Sequence, residues 1–120
     1  MKRIIQTQNE ELLYICRLLL FWGLNDRYVG FYYTANAIRL MIENPERIAL
    51  ITKNVYMETA QTYGTTWYAV ERGIRSIIAR MWVSNQECFR KSWKLPADKK
   101  TTPSEFIATL YVYCSEMIAN

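Results

Sequence analysis

Residues 55–82 read VYMETAQTYGTTWYAVERGIRSIIARMW. The spacing predicts a short helix, a tight turn and a longer helix. Ala60, Gly64 and Val70 fall where a helix-turn-helix needs them. A small residue lets the first helix approach the second. A glycine takes the positive φ of the turn without a Cβ clash. A branched apolar residue then locks the second helix down. Thr65 or Thr66 caps that helix through its hydroxyl. At 3.6 residues per turn, Val70, Ile74, Ile77, Ile78 and Met81 form an apolar stripe that must be buried. Tyr68, Glu71, Arg72, Arg75 and Ala79 lie on or near the opposite side. Such a face fits a DNA major groove, where arginine pairs bidentately with guanine and glutamate accepts from cytosine. It equally fits a solvated surface helix with ordinary arginines.

Working outward, the other segments also read as helices. Residues 1–9 have no firm pattern and are expected to be a mobile tail. Residues 10–120 are expected to form a single helical domain. A helix is expected over 10–22, with Leu12, Leu13, Ile15, Cys16, Leu19 and Leu20 at helical spacing, ended by Gly23. A second is expected over 27–43, burying Val29, Tyr32, Tyr33, Ala37, Leu40 and Met41. Asn44-Pro45 stops it and starts a short helix carrying Ile48, Leu50 and Ile51. Residues 86–93 are expected to form another short helix. Residues 94–101 read as a basic loop in which Lys99 and Lys100 can meet phosphates or simply aid solubility. Thr102, Pro103 and Glu105 mark the start of a last helix by a capping box. No strand-like alternation and no internal repeat stand out. The expected fold is all-α, a compact bundle of about six helices containing a helix-turn-helix.

Composition narrows the function. The chain has 120 residues, long enough for one domain with a real core, and 51% of them are hydrophobic. The net charge of +4 permits a nucleic-acid partner without demanding one. There is no histidine, so Ser-His-Asp and Cys-His arrangements are excluded, and Cys16, Cys88 and Cys114 are too far apart for a zinc site. The cysteines read as free thiols, suited to a reducing cytoplasm. The glycines are isolated, so no phosphate-binding loop is present. No cofactor, metal, small-molecule substrate or membrane span is expected, and the chain is not expected to be an enzyme.

The residues also carry a family resemblance. VERGIRSIIARMW at 70–82, with Thr65 and Thr66 upstream, resembles the recognition helix of the stage 0 sporulation protein A family. KTTPSEFIA at 100–108 resembles the start of that family's last helix. GFYYTANAI at 30–38, ITK at 51–53 and VY at 55–56 follow in the same order. The resemblance covers roughly 20–119. It implies an all-helical, sequence-specific domain that binds double-stranded DNA, regulates transcription and sits in tandem on short boxes, with self-association there. Glu71, Arg72 and Arg75 match the family's Glu-Arg-x-x-Arg surface.

Two departures stand out. In the family a phosphoacceptor receiver domain precedes this region, whereas the residues before it here are too few for one, so binding is expected to be receiver-independent. Trp67-Tyr68 stands where the family tends to have a small residue followed by arginine. The resulting expectation is a DNA-binding regulator using Thr65, Thr66, Tyr68, Glu71, Arg72, Arg75, Lys99 and Lys100. The alternative is a protein-interaction module that keeps the fold and modulates a full-length regulator without binding DNA.

Overall fold

Apolar residues on most sides of the helix over 29–43 dictate the centre of the fold, because such a helix must bury most of its surface. The computed structural model describes residues 8–84 and 101–119. Its elements are α1 (Gln8–Phe21), α2 (Val29–Glu43), a 3-10 helix (Pro45–Leu50), a π-helical turn (Thr52–Tyr56), α3 (Met57–Tyr63), α4 (Trp67–Ser84) and α5 (Pro103–Ala119). No strand occurs among the described residues. The fold is an all-α bundle, as the periodicity requires. The expected helix over 86–93, Cys88, and the basic stretch with Lys99 and Lys100 lie outside the described residues.

Helix α2 is the hub, packed by α1, α4 and α5. Phe31, Ile38 and Met41 from α2 meet Ile15 and Leu19 from α1, Ile74, Ile77 and Ile78 from α4, and Phe106, Ile107 and Leu110 from α5 in one core. Local chemistry sets the element ends. Asn44 Oδ1 accepts from the Glu46 N–H at 3.1 Å, and Pro45 occupies the first position of the 3-10 helix, as its sequence predicts. Thr102 and Glu105 form the expected capping box: each side chain accepts from the other's backbone N–H at 3.2 Å.

Several expected positions differ. α1 takes in Gln8 and Asn9 from the stretch read as a tail. Of the apolar positions at helical spacing in α1, Ile15 and Leu19 are buried while Leu13 and Leu20 are exposed. In α2, Val29 and Tyr32 are exposed, while Gly30, Phe31 and Thr34 are buried. The cause is a close approach of α4 at Gly30, described below. Ile48 and Leu50 are also exposed, because the segment winds as a 3-10 helix and presents no α-helical stripe.

Polar links tie the helix-turn-helix to α2 and to the 3-10 helix. Asn36 Nδ2 donates to Thr59 Oγ1 at 3.1 Å in the buried seam between α2 and α3. Arg47 reaches from the 3-10 helix to donate to the Asn54 carbonyl of the π turn at 2.9 Å, and it pairs with Glu58 of α3. The guanidinium thus ties the 3-10 helix to the π turn and to α3 at once.

Candidate nucleic-acid interface

The turn between α3 and α4 is built by its sequence. Gly64 sits at φ 64°, ψ 40°, the left-handed region. Its N–H and that of Thr65 both reach the Ala60 carbonyl, the latter at 2.9 Å, with a further bond from Gly64 to the Gln61 carbonyl. This is a Schellman closure, which satisfies the free carbonyls of α3. Thr66, not Thr65, caps α4: its Oγ1 accepts from the Ala69 N–H at 3.3 Å. Ala60 is buried and Val70 fully so, as the spacing requires.

The apolar stripe of α4 is buried throughout: Val70, Ile74, Ile77, Ile78 and Met81 are each at most 5% exposed. The opposite face is therefore turned to solvent. It carries Tyr68, Arg72, Arg75 and Ser76, all exposed. Glu71 lies on the flank and is half-buried. It accepts from Arg75 Nη2 at 3.1 Å across one helical turn. Arg75 thus has its guanidinium pre-oriented by a carboxylate on the same helix, while Arg72 makes no ion pair among the described residues.

A second flank of α4 meets the start of α2. A Cβ placed on Gly30 would lie 2.1 Å from the Gly73 carbonyl oxygen, and one on Gly73 would lie 2.9 Å from the Tyr33 ring. Only backbone against backbone fits there. Around this crossing an open cleft of about 330 Å³ is lined by Tyr28, Val29, Tyr33, Ala69, Arg72 and Ser76, with the two glycines at its floor. Arg80 lies over the Tyr28 ring, with Cζ 3.8 Å from the ring centre.

A helix-turn-helix with a capped, outward arginine-bearing second helix is the geometry of a DNA reader. Residues 15–114 match the family model described as the sporulation initiation factor Spo0A C terminal. The chain belongs to this family. The Spo0A C-terminal family is a DNA-binding effector domain of transcription regulation in sporulation, and not an enzyme family.

Within this Spo0A C-terminal fold, the structure gathers Thr66, Tyr68, Arg72 and Arg75 on one helix and its cap. Glu71 stands beside them, and Thr65 is withdrawn into the turn. Trp67 is 42% exposed and Tyr68 56%, so both rings of the pair reach solvent. Trp67 is the first residue of α4. Sequence reasoning missed Tyr28, Val29, Ser76 and Arg80 on the α2 flank. Its available signal was a glycine in the interior of each of two helices, at positions 30 and 73. Among the described residues, no helix is long and apolar enough to cross a membrane.

Proposed function

We propose that this chain is a sequence-specific double-stranded DNA-binding regulator that reads a short site with α4. The observation that carries the reading is the solvent-facing line of Tyr68, Arg72 and Arg75 opposite a fully buried stripe, on a helix whose start is fixed by a closed turn and a threonine cap. Arg72 and Arg75 make base contacts, with Glu71 holding Arg75 and assisting readout. Thr65 and Thr66 lie at the helix start, where phosphate contacts set register. Lys99 and Lys100 add phosphate contacts by their charge. One recognition helix reads only a half-site, so two copies bind neighbouring boxes.

Selection from random-sequence duplex DNA tests this reading. A single enriched motif is the expected result, and Arg72→Ala and Arg75→Ala should each weaken it. The exposure of both Trp67 and Tyr68 favours a second reading, a protein-interaction module, because aromatic residues anchor protein interfaces. No enrichment, with no duplex binding at low salt, would favour that second reading.

A further inference from the structure

The first turn of α4 presents an aromatic pair to solvent. The Trp67 and Tyr68 rings meet edge to face, with centroids 5.7 Å apart and planes at 89°. This arrangement orients the Tyr68 ring while leaving it 56% exposed. Tyr68 also precedes Arg72 by four residues, so the ring and the guanidinium are neighbours on the outward face. Arg75 lies on the same face, and the nearby carboxylate of Glu71 is already engaged by it. The surroundings of the ring are therefore cationic, which suits a polyanionic partner better than an apolar protein surface.

A duplex offers one apolar group in its major groove, the C5 methyl of thymine. The first residues of a recognition helix are those that reach base edges. We propose that Tyr68, oriented by Trp67, packs its ring on the C5 methyl of a thymine adjacent to a base pair read by Arg72. Tyr68 is then a specificity-determining residue acting through apolar contact and not through its hydroxyl. The proposal rests on the DNA-binding reading above and adds the chemical feature that the first turn of α4 recognises.

The experiment uses the full 120-residue chain and two random-sequence duplex pools, one made with thymine and one with uracil in its place. Uracil lacks only the methyl group, so phosphate contacts and hydrogen-bonding edges are unchanged. Sequences enriched from the thymine pool should bind about fourfold more weakly for each contacted thymine when remade with uracil, the effect of one buried methyl. Tyr68→Phe should keep this difference, and Tyr68→Ala should erase it. Enriched sites that bind equally well with thymine and uracil would overturn the proposal while leaving DNA binding intact. A difference lost in Tyr68→Phe would also overturn it, because the hydroxyl would then be reading the site. No binding to either pool at low salt would instead remove the DNA-binding reading, and this proposal with it.

Discussion

Gly30 of α2 and Gly73 of α4 meet backbone to backbone, and a Cβ on Gly30 would stand 2.1 Å from the Gly73 carbonyl oxygen. The crossing sets how α4 lies on the hub, and therefore which of its side chains face outward. The obstacle at Gly30 is main chain and cannot swing aside. Gly30→Ala should destabilise the fold by roughly 1–3 kcal/mol through overpacking, reduced by the roughly 1 kcal/mol that alanine contributes to helix propensity. Gly73→Ala meets a side chain, the Tyr33 ring at 2.9 Å, and not main chain at 2.1 Å, so it should cost less. Urea unfolding of both variants checks the order. Gly30→Ala should also weaken duplex binding, since it displaces α4.

Gly64 has open space around its Cα but a left-handed backbone at φ 64°. Gly64→Ala should therefore cost roughly 1–2 kcal/mol from backbone strain alone. Gly64→Asn should recover part of that loss, because asparagine tolerates this region. Thermal melts of the two variants measure the difference.

Glu71 and Arg75 predict opposite effects on DNA affinity. Arg75→Ala should cost roughly 1–3 kcal/mol on the preferred duplex and relax its sequence preference. Glu71→Gln removes a carboxylate from the face and releases Arg75. It should tighten binding to every duplex while blurring discrimination. Competition titrations with preferred and scrambled duplexes separate the two outcomes.

Burial pushes the Cys114 thiol up to about 12, and it also raises Cys16 and the Tyr56 and Tyr63 phenols. In the folded chain Cys114 keeps its proton until about pH 12, whereas unfolded it releases it near the ordinary value of 9.0. The folded state therefore holds more protons above that value. Stability is full below about pH 9 and falls as the pH rises toward 12. Melting temperatures across this range should decline, with a shallower slope in Cys114→Ala. At neutral pH the native chain should shield Cys114 from alkylation until it is unfolded.

Much of the fold was legible because its signals are local. The stripe from Val70 to Met81, the cap at Asn44 and the capping box at Thr102 depend on neighbours within one or two turns. Positions set by distant partners were not legible. Gly30 is buried by Gly73, so apolar spacing assigns its burial to Val29 and Tyr32 instead. Arg47 is drawn in by Asn54 and Glu58, seven and eleven residues away, across a π turn that no periodicity announces. Of the candidate site, the outward line of Tyr68, Arg72 and Arg75 was readable as the complement of the buried stripe. The contribution of α2 to the rim was not, because it exists only once the two glycines cross.

The salt dependence of duplex binding tests the central claim most directly. Titration of a labelled duplex bearing the selected motif should show affinity falling linearly with salt on a log–log plot, with a slope of about −0.9 for each phosphate neutralised. Arg72→Ala and Arg75→Ala should lose affinity for that motif at every salt concentration. A chain that binds no duplex even at low salt, or that binds equally well without Arg72 and Arg75, would contradict the assignment of α4 as the reading helix.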